Sequence, residues 1–112
     1  MKASLSNPIP AIQTINLSKH YKSSPDLALG SLNLTVVQGE IFGFLGPNGA
    51  GKTTTIRLLL DLIRPTSGRA LILGFDSTKS SLEVRRRVGY LPGELRLYPN
   101  SNAKTLIKLF TS

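Results

Sequence analysis

Eight consecutive residues carry the densest chemistry of this chain. Gly46-Pro47-Asn48-Gly49-Ala50-Gly51-Lys52-Thr53 fills every fixed position of the pattern GxxxxGK[ST]. Such a loop binds phosphate. Its glycines let successive backbone N–H groups turn inward into an anion nest, and the positive end of a following helix points at the same place. Lys52 supplies an ammonium for the β- and γ-phosphates, and the Thr53 hydroxyl completes the coordination of Mg²⁺. Thr54 follows directly and joins the candidate set. The competing explanation is a glycine-rich turn that merely caps a helix. Against it stand an apolar strand candidate before the loop and a strongly patterned helix after it.

Other reactive residue types are few. The chain has no cysteine, which excludes disulfides, thiolate metal sites and a cysteine nucleophile. His20 is its one histidine, so a zinc cluster or histidine-based triad is excluded as well. Asp76 closes the run LILGF and resembles an aspartate that holds a metal at a strand end. Gly74 breaks that strand first, so a turn position is expected instead. Arg85-Arg86-Arg87 could touch RNA, an acidic lipid or a partner protein, but the expected role is the solvated side of a helix.

Several elements must position the loop. Residues 11–17 suggest a short strand and 18–30 a loop with Ser23, Ser24, Pro25 and Gly30. Leu32, Leu34 and Val36 alternate with Asn33 and Thr35, the period of a half-buried strand. Gln38-Gly39 marks a turn into Glu40–Leu45, an apolar run of buried-strand length. In Lys52–Arg64, Ile56, Leu59, Leu60 and Ile63 recur at i, i+3, i+4, i+7, opposite Arg57, Asp61 and Arg64. Pro65-Thr66-Ser67-Gly68 is expected to end that helix. Ala70–Leu73 reads as a strand, Ser81–Arg87 as a short helix, Val88–Leu91 as a strand and Pro92-Gly93 as a break. Ala103, Leu106, Ile107 and Phe110 again show helical spacing, which predicts a helix running to Ser112.

With 112 residues, 40% apolar and 18% charged, the composition is that of one globular domain. Residues 1–10, with Pro8 and Pro10, are expected to form a flexible lead-in. Fourteen Lys and Arg against six Asp and Glu give a net charge of +8, which favours an anionic partner. The charge is dispersed and does not interleave with aromatics, so nucleic-acid binding is not expected. No run approaches the ~18–20 apolar residues of a membrane span, and the N-terminus lacks a secretory apolar core. A soluble, intracellular chain is the expectation.

The wording LGPNGAGKTTTIRLLLDLIRPTSG resembles the nucleotide-binding domain of ATP-binding-cassette (ABC) transporters. The resemblance runs from about Ile12 to Phe110. NLTVVQGEIFGFLG resembles the approach to the family's Walker A loop, GRALILGFD the strand after its first helix, and GYLPGELRLYPN its Q-loop region. The GFD and YLPGELRLY variants look most like ATPase subunits of multidrug or polyketide-type exporters. The resemblance implies an α/β fold, a P-loop NTPase of the ABC type in its N-terminal half only, with an antiparallel β-subdomain beside the P-loop strand and helix. Residues 11–112 would then be a truncated nucleotide-binding domain.

It also implies site roles. ATP and Mg²⁺ are the expected ligands, with phosphates on Gly46 through Thr54, Mg²⁺ on Thr53 and adenine stacked on Tyr21, the aromatic ahead of the loop. The family carries a Mg²⁺-contacting glutamine directly after the Q-loop proline, but here Pro92 is followed by Gly93 and Glu94. Glu94 either substitutes for it one position on or is a solvent-facing glutamate. Expected partners are a membrane-spanning permease and a second nucleotide-binding domain in a head-to-tail dimer, at the cytoplasmic face of the membrane. The LSGGQ signature, the Walker B Asp-Glu and the switch histidine are missing. The chain thus reads as a piece of a longer ATPase or the product of an interrupted gene, incompetent in hydrolysis, with Glu40–Leu45 left as an unpaired edge. Two alternatives are a short non-hydrolysing nucleotide-binding module and part of a soluble, translation-associated ABC ATPase.

Overall fold

A computed structural model describes residues 9–39, 41–46, 50–91, 94–98 and 105–111. Most of the lead-in, the Pro92-Gly93 break and the start of the last expected helix lie outside the described residues.

The first sheet is antiparallel throughout. It contains β1 (Ile12–His20), β2 (Leu27–Val36), β4 (Ser67–Ile72) and β5 (Phe75–Asp76), in the order β2-β1-β4-β5. β1 and β2 are longer than their alternation suggested, so the expected loop of 18–30 shrinks to residues 21–26. Their ladder is bulged between Thr14 and Leu17, where Asn16 takes a positive φ of 48°, and again between Leu17 and Lys19, where Ser31 takes 47°. Polar side chains close the gap. Buried Thr14 donates through Oγ1 to the Leu32 carbonyl at 3.0 Å and accepts the Leu34 N–H at 2.9 Å. Asn33 accepts the Asn16 N–H and donates back to Asn16 Oδ1. β4 and β5 are joined by Leu73-Gly74, both at positive φ, the mark of a type I′ loop.

The second sheet contains β3 (Ile41–Gly46), β6 (Val88–Leu91), β7 (Glu94–Leu97) and β8 (Thr105–Thr111), in the order β3-β8-β7-β6. β8 runs parallel to β3, from Ile41 opposite Leu106 to Gly46 opposite Thr111. This corrects two expectations. The segment expected as a terminal helix is a strand, and one edge of β3 is covered by it rather than left unpaired.

α1 (Ala50–Leu59) packs against β2 and β4. Ile56, Leu58 and Leu59 are buried in a common core with Ile12, Leu17, Val36, Ala70, Ile72 and Val84, while Arg57 is exposed. The helix stops well short of Pro65. Asp61 takes φ 56°, its N–H donates to the Leu58 carbonyl at 3.2 Å, and the Leu62 N–H reaches the Arg57 carbonyl at 2.8 Å. Those two bonds make a Schellman ending with an aspartate in the usual glycine place. α2 (Ser81–Arg86) packs on β5 and β6.

Candidate functional site

The phosphate-loop motif sits where a strand hands over to a helix. Gly46 ends β3 and Ala50 opens α1. Pro47, Asn48 and Gly49 lie outside the described residues, as do the side chains of Ala50 and Lys52. Gly51 and Lys52 are helical in backbone. The first turn of α1 contains no acidic residue, so nothing there offsets the positive end of the helix. Thr53 is exposed, whereas Thr54 and Thr55 are buried. By residue type the set suits a polyphosphate with a divalent ion: helix-end N–H groups, a lysine one residue before the exposed Thr53, and no carboxylate on the first turn. In the parallel pairing of β3 with β8, Thr111 lies opposite Gly46.

Tyr21 directly follows β1 and is half-buried. Its ring centroid lies 5.3 Å from Lys19 Nζ, and that ammonium donates to the Arg64 carbonyl at 2.7 Å. The neighbouring His20 N–H donates to Thr66 Oγ1 at 2.9 Å. The strand end that carries Tyr21 is thus fastened to the segment following α1. The sequence pattern did not single out Lys19, because residues 18–20 read as loop. Read as strand, a Lys-x-Tyr spacing places both side chains on one face.

Glu94 is partly covered and engaged with an arginine. Its Oε1 accepts Arg96 Nε at 2.7 Å and Nη2 at 2.6 Å, and its side chain is 22% exposed. The hydrogen bond to Glu94, helped by Tyr98, holds the Arg96 guanidinium above its ordinary pKa. A cation at Oε1 would compete with that arginine.

Asp76 is an internal cap. It ends β5 opposite Leu71 rather than lying in the expected turn, and its Oδ1 accepts the N–H groups of Thr78 at 2.8 Å and Lys79 at 3.0 Å, which fixes the turn that follows. His20 is exposed. Among the described residues no three His, Asp or Glu converge on a metal position. The arginine run divides. Arg85 reaches the Leu60 carbonyl at 3.5 Å, and Arg86 pairs with Glu83 at 3.2 Å. Arg87 instead binds Glu83 at 3.0 Å and covers the Phe75 ring at 4.5 Å, so it is structural rather than solvated. A pocket of about 270 Å³ lined by Pro65, Gly68, Arg69, Asp76, Thr78 and Lys79 uses none of the phosphate-loop residues. No helix among the described residues is long and apolar enough to cross a membrane.

Comparison with known proteins agrees with this geometry. The family model described as ABC transporter matches residues 29–108. The bacitracin transport ATP-binding protein BcrA of Bacillus licheniformis is 47% identical over 93 residues, covering 83% of this chain and 30% of that protein. The probable multidrug ABC transporter ATP-binding protein YbhF of Escherichia coli is 44% identical over 84 residues, 75% of this chain and 14% of that protein. The chain therefore spans less than a third of either relative. Among solved structures, cbiO1 of Clostridium perfringens, part of the ABC transporter complex cbiONQ, superposes with a TM-score of 0.62 at 28% identity. That match covers 71% of this chain and 33% of cbiO1. A bacterial Atm1-family ABC exporter with ATP bound gives 0.61 at 32% identity, covering 70% and 14%. With the match spanning most of the chain and the P-loop strand and helix in place, this protein belongs to the ABC transporter family and carries the N-terminal part of its ATP-binding fold.

Proposed function

We propose that this chain binds ATP with Mg²⁺ as the N-terminal part of the nucleotide-binding domain of an ABC transporter, residues 11–112 forming that part. The observation that carries this reading is the junction from Gly46 at the end of β3 to Ala50 at the start of α1, with no acid in the helix's first turn. The loop from Gly46 to Thr54, through every backbone N–H but that missing at Pro47, and the Lys52 ammonium would hold the phosphates, Thr53 would ligate Mg²⁺, and Tyr21 would stack on adenine. Bound Mg²⁺ would neutralise phosphate charge and orient the γ-phosphate. Within a longer protein the domain would couple hydrolysis to export through a membrane-spanning permease, paired with a second such domain at the cytoplasmic face. The names of BcrA and YbhF support the multidrug-type assignment. The 112-residue chain by itself binds without hydrolysing, because the Walker B Asp-Glu and the LSGGQ signature that the family uses for hydrolysis are not among its residues. Calorimetric titration with MgATP tests the reading: micromolar to millimolar binding that Lys52→Ala weakens supports it, and equal affinity in parent and variant overturns it.

A further inference from the structure

We infer that Lys19 is a positioning residue for the nucleotide base, holding one face of the Tyr21 ring so that the other is the stacking surface. This rests on the reading of Tyr21 as the adenine platform. Lys19 and Tyr21 lie two residues apart at the end of β1, and the ammonium stands 5.3 Å from the ring centroid, inside the ~6 Å reach of a cation–π contact.

The lysine is itself held. Its Nζ donates to the Arg64 carbonyl at 2.7 Å. Arg64 follows the left-handed Asp61 that closes α1, and its Nε pairs with Asp61 Oδ1 at 3.2 Å. One residue along, Thr66 Oγ1 accepts the His20 N–H at 2.9 Å. Lys19 and His20 are therefore tied directly to the chain that leaves the phosphate-loop helix, and Tyr21 follows them at the end of the strand. An ammonium occupying one face restrains the ring's rotation and excludes the base from that face. A ring fixed beforehand loses less freedom when a base stacks on it, and the affinity gained is preorganisation. Lys19 acts on the base through Tyr21, not on the phosphates.

The test titrates the 112-residue chain with MgATP and, separately, with inorganic tripolyphosphate, which has phosphates and no base. Lys19→Ala is expected to weaken ATP roughly two- to fivefold and leave tripolyphosphate unchanged, and Lys19→Arg is expected to restore ATP affinity. In a Tyr21→Ala background, Lys19→Ala is expected to add nothing. Equal weakening of both ligands overturns the inference, since Lys19 would then act through the fold or on the phosphates. Weakening of ATP by Tyr21→Ala but not by Lys19→Ala overturns the clamp and leaves the stacking reading standing. Parental ATP affinity in Tyr21→Ala overturns both.

Discussion

The N–H of Gly39 donates to the hydroxyl oxygen of Thr105 at 2.9 Å, joining the turn before β3 to the first residue of β8. Thr105 is fully buried while Gly39 is exposed, so the bond is partly shielded from water. The bond sits next to the Ile41–Leu106 pair and sets the parallel register at its start. Thr105→Val keeps the shape and removes the acceptor. It is expected to lower stability by about 0.5–1.5 kcal/mol, the net worth of an ordinary intramolecular hydrogen bond, while Thr105→Ser retains most of it. Urea unfolding reads the difference. A parental midpoint for Thr105→Val would show that the bond does not hold β8 on β3.

Gly68 and Gly74 both have positive φ, at 77° and 86°, yet their surroundings differ. A Cβ at Gly68 would lie 2.1 Å from the Asn16 carbonyl oxygen, backbone that cannot swing aside. At Gly74 the first atom met is the Ile9 side chain at 3.3 Å, which can shift. Gly74→Ala is expected to cost about 1–2 kcal/mol, the left-handed penalty alone. Gly68→Ala adds a collision with the β1 bulge and should exceed 3 kcal/mol or prevent folding. Thermal melts of the two variants side by side check this, and equal melting temperatures would refute the close approach.

The phosphate-loop junction was legible because glycine spacing, apolar strand and amphipathic helix agree on one local structure. The end of α1 was not. Pro65 is a general stop signal, but the chain turns at Asp61, where an aspartate adopts a conformation more often given to glycine. β8 was misread because Leu106, Ile107 and Phe110 fit helical spacing as well as they fit a parallel strand, which needs no alternation. Thr105, Ile107 and Thr111 favour the strand, and the partner that decides it, β3, lies more than sixty residues away. The arginine run looked uniform in sequence, and only packing separates Arg87 over Phe75 from its exposed neighbours. Lys19 went unnoticed for want of three residues of strand.

For nucleotide binding, Lys52→Ala should remove a charge-assisted phosphate contact worth about 1.5–3 kcal/mol, a drop of roughly ten- to a hundredfold in ATP affinity. Isothermal titration is the measurement, with thermal melting of both proteins to confirm that the fold is kept.

Tyr21 distinguishes base stacking from hydrogen bonding. Stacking is tolerant of base identity and contributes about 1–3 kcal/mol, so Tyr21→Ala should weaken ATP and GTP alike. Tyr21→Phe keeps the ring under Lys19 and should be nearly silent. A phenylalanine variant as weak as the alanine variant would mean that the phenol oxygen, not the ring, is what matters.

The 112-residue chain should show no phosphate release from MgATP above background. Binding and orienting a triphosphate is one part of catalysis, and the rest needs a positioned water and charge stabilisation around the departing phosphoryl group. The two carboxylates with a sequence claim to that work are each engaged through one oxygen. Glu94 Oε1 lies 2.6 Å from Arg96 Nη2, and Asp76 Oδ1 accepts two backbone N–H groups of its own turn. Freeing Glu94 by Arg96→Ala is therefore expected to leave turnover at background, since an unpaired carboxylate without an aligned water is no general base. The decisive assay is phosphate release from MgATP by parent and Arg96→Ala, with gel filtration to establish that both are monodisperse. Turnover in the parent would show that the chain carries a complete hydrolytic site. Turnover appearing only in Arg96→Ala would show that Glu94 is a base held in check by its arginine.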